Sequence, residues 1–222
     1  MIKAVIFDLD GTVTDTLSTI AHFGNFALNT HGLASIPEEE YKFFAGDGKK
    51  VLIHRMLAYH NADNEELFAR VEKTYDNAYE ADPIGKTTTF DDIIPLAEEL
   101  QKRGIRVAIN SNKPHNVMEM VLDRLFPDGL LNLAYGQIDG VPTKPDPTNA
   151  KRIACELGVE PYECLFVGDT SVDIETGKNA GMHPIGVLWG FRDINELKTA
   201  GAEEIIEKPS EILDVIFKIE KE

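Results

Sequence analysis

Two carboxylates, Asp8 and Asp10, stand one residue apart near the start of the chain. They follow the apolar run Ala4–Phe7, which is typical of a strand that is buried on both faces of a parallel sheet. Gly11 and Thr12 come next and favour a tight turn. In open parallel sheets, ligands bind at the carboxyl edge of the strands. A carboxylate pair at this place can hold a hard cation or attack an electrophile.

A hydroxyl side chain follows a second strand-like run, at residues 106–109. Ser111 and Asn112 stand at the end of this run, and Pro114 suits the first turn of a helix after it. A hydroxyl group and free backbone amides at such a place suit a phosphate oxygen. Ser111 can also cap the helix, and capping is compatible with anion binding.

A fixed positive charge and a second acidic pair follow later in the chain. Lys144 stands in the segment 140–147, whose prolines forbid a helix or a central strand and hold the lysine on a rigid loop. The apolar run at 164–168 predicts another buried strand, which leads into Asp169, with Asp173 four residues later. Acidic groups at the ends of parallel strands are expected to meet at one edge of the sheet.

These segments, in this order, resemble the motifs of the haloacid dehalogenase (HAD) superfamily, and specifically of its phosphatase branch. The matching residues are Asp8 and Asp10 for the first motif, Ser111 for the hydroxyl motif, Lys144 for the lysine motif, and Asp169 with Asp173 for the acidic motif. The segments 136–147 and 187–202 further resemble the phosphoglycolate phosphatase-like group of the superfamily. The resemblance covers essentially the whole chain, and the middle segment carries the least of it.

The resemblance implies a phosphomonoester hydrolase that depends on magnesium (Mg2+) and acts through an aspartyl-phosphate intermediate. Asp8 would be the nucleophile, and Asp10 would be the general acid and base. Asp8, Asp169 and the backbone carbonyl of Asp10 would hold the metal, since Mg2+ prefers oxygen ligands. Asp173 would ligate the metal directly or through water, or would orient Lys144.

The remaining core residues of the expected site act on the phosphoryl group. Lys144 and Ser111 would steady it during transfer, which depends mostly on positioning and electrostatics. Thr12 is expected to hydrogen-bond within its turn and keep Asp10 oriented. Thr12 and Asn112 complete the substrate-binding residues that we predict in the core.

The elements that position these residues follow from the hydrophobic pattern. Strand-like and helix-like runs alternate from residue 93 to the end of the chain, which predicts an α/β fold. We expect a Rossmann-like, doubly wound parallel sheet with helices on both faces. The segment 189–191 is predicted to pack on the far side of this sheet, although the resemblance places that loop near the site.

The segment 16–82 lacks strand-like alternation and is predicted to be helical throughout. Its helical runs lie at 16–30, 37–44, 49–59 and 64–80. We therefore predict a HAD-like catalytic core of residues 1–15 and 83–222, and an inserted all-helical cap domain of residues 16–82. Such a cap would close over the site and exclude water.

A loop in the predicted cap is the first candidate for substrate specificity. Gly46 and Gly48 allow a tight turn, and Lys49 and Lys50 open the helix that follows, where backbone amides also point outward. The alternative is a simple turn between helices with solvated lysines. The position of the segment and the resemblance favour a role in substrate binding.

Composition excludes several classes of partner. The net charge of −16 argues against a nucleic acid or an anionic membrane surface. No apolar run approaches membrane-spanning length, and the first predicted strand begins too early for a signal peptide. Cys155 and Cys164 have no metal or redox spacing and are expected to be reduced core residues. We expect a cytoplasmic protein, either a monomer or a homodimer.

Several functions remain open from the sequence. The favoured one is hydrolysis of a small phosphorylated metabolite, with phosphoglycolate as the first choice of substrate. A sugar phosphomutase similar to β-phosphoglucomutase, or a pyrophosphatase, would use the same covalent chemistry. A metal-free dehalogenase would lack the second carboxylate, Asp10, which is present. A non-catalytic phosphate-binding or regulatory protein would be free to lose the nucleophile Asp8, so the intact set of residues argues against it.

Overall fold

Six parallel strands form the central sheet of the protein, whose computed structural model describes residues 1–221. The strands of the described residues are β1 (Ala4–Phe7), β2 (Thr14–Asp15), β3 (Thr88–Thr89), β4 (Arg106–Pro114), β5 (Leu133–Gln137), β6 (Cys164–Gly168), β7 (His183–Val187) and β8 (Glu204–Ile206). The order in the central sheet is β5-β4-β1-β6-β7-β8. The other two strands, β2 and β3, form a separate antiparallel pair.

Helices cover both faces of this sheet. The α-helices of residues 1–221 are α1 (Leu17–Thr30), α2 (Tyr41–Phe44), α3 (Lys49–Tyr59), α4 (Glu65–Ala81), α5 (Ile93–Lys102), α6 (His115–Leu125), α7 (Thr148–Leu157), α8 (Ser171–Ala180), α9 (Ile194–Ala200) and α10 (Ile212–Ile219). Apolar residues of α5, α6 and α10 pack on one face, and those of α7 and the end of α8 pack on the other. The predicted α/β fold with a doubly wound parallel sheet is confirmed. None of these helices is long and apolar enough to cross a membrane.

The strand before the acidic pair is apolar at every position because both of its faces are buried. In β1, Val5 and Phe7 contact one hydrophobic core, and Ala4 and Ile6 contact the other. The neighbouring strands β4 and β6 cover its two edges. The residue that follows β1, Asp8, therefore stands where the chain leaves the sheet at its carboxyl edge.

Helices α1 to α4 form a hydrophobic cluster of their own, which Val117 and Phe191 join from outside the segment. The chain enters and leaves this helical segment through β2 and β3, whose antiparallel pairing holds the two crossings side by side. The predicted runs 16–30, 49–59 and 64–80 match α1, α3 and α4 within one residue at each end, whereas the run 37–44 is divided into a short 3-10 helix, Glu38–Glu40, and α2. The limits of the core and of the cap as separate domains stay a prediction.

One cysteine does not lie where the sequence places it. Cys164 is buried, as expected for the first residue of β6, but Cys155 is exposed, so the prediction that both are core residues is wrong. The reason is the helical period of α7, which buries Ala150, Ile153, Ala154 and Leu157. At 100° per residue, Cys155 falls on the side of the helix opposite these four residues and faces solvent.

The two thiols are expected to differ sharply in reactivity. In the native protein a thiol-specific disulfide reagent should titrate Cys155 rapidly and leave Cys164 unreacted until the chain unfolds. Burial raises the pKa of Cys164 to about 12, so almost none of it is thiolate at mildly alkaline pH. Cys155→Ser should abolish the fast reaction, and Cys164→Ser should leave it unchanged. Rapid labelling of both thiols in native protein would contradict this placement.

Candidate active site

Three buried carboxylates meet at the carboxyl edge of the sheet. Asp8 follows β1, and Asp169 follows β6, which is the parallel neighbour of β1. Asp173 lies in the first turn of α8. One ligand oxygen of each residue lies within 4.8 Å of those of the other two. The fold thus brings together the three acidic side chains that the sequence selects as metal ligands.

The ammonium group of Lys144 lies among these carboxylates. Its Nζ donates hydrogen bonds to Asp8 Oδ1 at 2.7 Å and to Asp173 Oδ1 at 2.6 Å. Burial opposes the charge of the lysine, but the two carboxylates outweigh burial and raise its pKa. Asp173 Oδ2 accepts bonds from the backbone N–H and the hydroxyl of Thr170, which fixes the carboxylate. Lys144 is therefore a positive charge held in one position next to Asp8.

The carboxylate cluster carries more negative charge than Lys144 compensates. Burial raises the pKa of Asp169 to about 7, and burial also raises the pKa of Asp8 well above its usual range. Three carboxylates opposite one ammonium group leave an excess of two negative charges when all of these groups are ionised. A buried oxygen cluster with this excess fits a hard divalent cation.

The backbone approaches Asp169 so closely that only glycine fits at two positions. Gly11 has a φ of +87°, and a Cβ on it would lie 2.4 Å from Asp169 Oδ2. A Cβ on Gly190 would lie 2.3 Å from Asp169 Cβ. Such contacts are too short for any other residue, so both glycines define the walls that hold this carboxylate.

Asp10 has a partner that the sequence interpretation missed. Lys113 Nζ donates to the two carboxylate oxygens of Asp10 at 3.1 and 3.3 Å, and to the hydroxyl of Tyr79 on α4 at 2.8 Å. Burial disfavours the charge of Lys113, but Asp10 and Tyr79 outweigh burial and raise its pKa. One sequence feature could have indicated this residue. Lys113 comes two residues after Ser111 in the same strand, so the two side chains are on the same face.

The other predicted core residues lie around this centre with different partners. Ser111 lines the cavity, and its Oγ accepts a hydrogen bond from the backbone N–H of Lys113. The side chain of Asn112 bonds the backbone N–H and carbonyl of Lys144 and so holds the lysine loop. Thr12 is fully buried, and its hydroxyl donates to Asp169 Oδ1 at 2.8 Å. The hydroxyl thus binds Asp169 and not a group of its own turn, so the expectation that it orients Asp10 is wrong; contact of Thr12 with substrate stays a prediction.

A cavity of about 480 Å³ opens from the carboxylates towards the helical segment. Asp8, Asp10 and Ser111 line its inner end. Its outer wall includes the predicted cap residues Gly46, Gly48, Lys49 and Lys50.

The two cap lysines differ in what they can offer a ligand. Lys49 Nζ already contacts both carboxylate oxygens of Asp76, at 2.8 and 2.7 Å, and lies 3.5 Å from Glu72. Lys50 is exposed. Of the two, Lys50 is the side chain that can reach a substrate without giving up an ion pair.

The segment 189–191 lies at the site, so the prediction that it packs on the far side of the sheet is wrong. Trp189 Nε1 donates to the carbonyl of Thr12 at 2.9 Å. The backbone N–H of Phe191 donates to Asp169 Oδ2 at 2.8 Å. The apolar side chains suggested a core position, but the loop follows β7 at the carboxyl edge and turns back over the carboxylates.

Comparison with known proteins agrees with this geometry. A family profile described as haloacid dehalogenase-like hydrolase matches residues 2–181. The chain belongs to this family. The match takes in the predicted core site residues from Asp8 to Asp173, while the segment 189–191 lies outside the matched range.

Several curated relatives of this HAD-like hydrolase are phosphatases. A phosphoglycolate phosphatase of Aquifex aeolicus is 30% identical over 193 residues, covering 87% of this chain and 88% of the relative. An N-acetylmuramic acid 6-phosphate phosphatase of Pseudomonas aeruginosa is 26% identical over 216 residues, covering 97% of this chain and 95% of the relative.

A protein from Lactobacillus delbrueckii subsp. bulgaricus has a crystal structure with a TM-score of 0.92 to this chain. The two sequences are 30% identical, and the match covers 96% of this chain and 98% of that chain. The predicted phosphatase and its resemblance to the phosphoglycolate phosphatase-like group are confirmed.

Proposed function

We propose that this protein is a magnesium-dependent phosphomonoester hydrolase that acts through an aspartyl-phosphate intermediate on a small phosphorylated metabolite. One observation carries the proposal: Asp8 lies at the end of a cavity, hydrogen-bonded to the buried Lys144 and next to the carboxylates of Asp169 and Asp173. Phosphoryl transfer depends on positioning and charge compensation, and this group of side chains supplies both.

The residues present fit a magnesium ion. Asp8, Asp169 and the backbone carbonyl of Asp10 would hold it, and Asp173 would orient Lys144 or reach the metal through water. The buried, uncompensated carboxylate oxygens support this assignment, because Mg2+ prefers a few carboxylates together with waters and substrate oxygens. When bound, the metal would neutralise charge on the phosphate, so that an anionic nucleophile can approach.

The protein groups can then divide the reaction between them. A carboxylate oxygen of Asp8 attacks phosphorus and the ester P–O bond breaks, while the leaving oxygen takes a proton from Asp10. Lys144 and Ser111 hold the transferring group. In the second step a water molecule gives its proton to Asp10 and its oxygen to phosphorus, which releases phosphate and restores Asp8. Lys113 keeps the carboxyl group of Asp10 in place between the steps.

Phosphoglycolate is the substrate that we propose first, because relatives over most of the chain act on it. The cavity of about 480 Å³ also has room for a larger leaving group, and one relative acts on a phosphorylated amino sugar. A phosphomutase or a pyrophosphatase would share the same phosphoryl site. We propose that the protein works in the cytoplasm as a monomer or homodimer.

The test is phosphate release from a panel of phosphomonoesters, measured with magnesium and with a chelator. The panel includes phosphoglycolate, hexose and pentose phosphates, N-acetylmuramic acid 6-phosphate, nucleotides and pyrophosphate. Release that requires magnesium and is greatest with phosphoglycolate would support both the reaction and the substrate. Equal release across the panel would support the reaction and reject the substrate. No release from any compound would reject the hydrolase proposal.

Asp10→Asn is expected to lower kcat by about 100-fold to 10,000-fold, since general acid and base catalysis contributes on this scale. Magnesium binding should persist, because the side chain of Asp10 is engaged by Lys113 and its expected metal ligand is the backbone carbonyl. Steady-state kinetics and calorimetric titration with magnesium measure the two effects. Loss of magnesium binding, or turnover close to that of the wild type, would contradict the acid/base assignment.

A further inference from the structure

An arginine with a largely buried side chain joins the core to the outer wall of the cavity. The side chain of Arg192, 9% exposed, follows β7 on the loop that contains Trp189. Its Nη2 donates to the carbonyl of Ala45 at 2.9 Å, and Ala45 begins the segment 45–48, called the cap loop below. The guanidinium carbon also lies 5.9 Å from the centre of the Phe43 ring.

A core residue, Glu196, also binds the guanidinium group of Arg192. Arg192 Nε lies 3.1 Å from Glu196 Oε2, one helical turn further along. The other carboxylate oxygen of Glu196 accepts a hydrogen bond from the backbone N–H of Ser171, at the start of α8. This is the helix whose first turn carries Asp173. The arginine is therefore oriented by the same part of the core that carries the acidic motif, and it reaches the cap loop from there.

The loop that carries Phe191 and Arg192 also contacts the carboxylate cluster and the helical segment. The backbone N–H of Phe191 donates to Asp169 Oδ2, while its side chain belongs to the hydrophobic cluster of α1 to α4. Arg192, the next residue, holds the cap loop. Two neighbouring residues thus connect the position of the cap loop to the orientation of Asp169.

A second core residue holds the next carbonyl of the cap loop. Asn112 Nδ2 donates to the carbonyl of Gly46 at 3.1 Å, beside the bond from Arg192 to Ala45. Gly46 has a φ of +111°, and a Cβ on it would lie 3.3 Å from Thr170 Cγ2, so the loop lies directly on the core. Consecutive carbonyls are therefore held from two sides.

We propose that Arg192 is a positioning residue that holds the cap loop on the core in the closed arrangement, and that the cavity wall forms over Asp8 through this contact. The role in turnover rests on the proposed function, while the contact itself does not. Arg192 Nη1 is buried without a hydrogen-bond partner among residues 1–221. An unpaired buried donor costs free energy, so this cost opposes the contacts that Nη2 and Nε make.

The experiment compares Arg192→Met, Arg192→Lys and Arg152→Met with the wild type. Arg152 is the matched control, because it also pairs with a glutamate four residues on, Glu156, but on an exposed face of α7. Hydrogen exchange of peptides that cover residues 41–52 reports on the cap loop without any substrate. Fluorescence of Trp189, the single tryptophan, on titration with inorganic phosphate and magnesium reports on the adjoining loop.

Arg192→Met is expected to speed exchange across residues 41–52 and to lower kcat about 10-fold to 100-fold, as for the loss of a hydrogen bond from a charged group. KM should change less, since Lys144 and Ser111 still hold the phosphoryl group. Arg192→Lys keeps the positive charge but not the two-sided guanidinium group that contacts Ala45 and Glu196. Its exchange rate and kcat should therefore lie between those of Arg192→Met and the wild type. Arg152→Met should match the wild type.

If Arg192→Met has the same exchange rates and kcat as the wild type, the proposal is overturned. A change in KM alone would also overturn it. Equal changes in Arg152→Met would also overturn it, because they would reflect a general loss of stability. A wild-type protein that releases no phosphate would reject the proposed function instead, and the exchange measurements would still decide whether Arg192 holds the cap loop.

Discussion

Asp8→Asn is expected to abolish turnover, with a loss of about four orders of magnitude or more, because an amide cannot form the acyl phosphate. The fold should persist. Lys144 keeps its bond to Asp173 at 2.6 Å, and removing one of the buried carboxylates relieves the repulsion that contributes to the raised pKa of Asp8. Phosphate release and thermal unfolding, both measured on the same preparation, test the two expectations.

The control for this variant is Asp91→Asn, which changes an exposed carboxylate between β3 and α5. It should retain full activity and stability. Trapping of labelled phosphate on the wild-type protein by rapid acid quench, and its absence in Asp8→Asn, would support the covalent step. Substantial turnover by Asp8→Asn would refute the nucleophile assignment.

Lys144→Met is expected to cost about 3–5 kcal/mol of unfolding free energy, the scale for removing one partner of a buried ion pair. The methionine fills much of the same space, but Asp8 and Asp173 lose the ammonium group that now lies 2.7 and 2.6 Å from them. Urea unfolding in chelator measures the loss. Magnesium should restore part of the stability, because a ligand that binds the folded state stabilises it.

The loss in Lys144→Met should depend on pH in a defined direction. A buried acid with a raised pKa destabilises the folded state progressively as the pH rises from its unfolded pKa to its folded pKa, and the cost stays constant above the folded value. In the wild type burial raises the pKa of Asp169 to about 7, although Lys144 lowers it; without Lys144 the pKa lies higher, so the deficit should grow as the pH rises through about 7 and should be smaller in acidic buffer.

Lys3→Met serves as the control for this pH series. Lys3 is exposed and forms an ion pair with Glu163 at 2.6 Å, so its replacement should change stability far less than that of the buried Lys144 at any pH. A Lys144→Met protein as stable as the wild type at every pH would contradict a structural role for this ion pair.

The positions of the catalytic candidates follow from local patterns that are written in the sequence. The apolar run before Asp8 and the one before Asp169 each predict a buried parallel strand, and parallel strands end at one edge of a sheet. The helices of the segment 16–82 also follow from the periodicity of their apolar residues. These features depend on continuous apolar runs and on a repeat of 3.6 residues, and both are read from neighbouring positions alone.

The partners of individual side chains depend instead on how distant segments pack. Asp10 meets Lys113, which lies 103 positions away in sequence, and Lys49 is paired with Asp76 on another helix. The exposure of Cys155 depends on which face of α7 the sheet covers. A periodic pattern indicates which face of an element is buried, but it does not indicate which residue from elsewhere lies opposite.

By itself, therefore, the sequence determined the fold class, the family resemblance and the edge of the sheet at which the carboxylates of Asp8 and Asp169 meet. Only the tertiary structure decided that Lys113 engages Asp10 and that the loop of Phe191 and Arg192 contacts both Asp169 and the cap loop. The physical reason is the range of the interactions. Strand and helix patterns arise between near neighbours, while charges and hydrogen-bond donors find their partners only after the chain has packed.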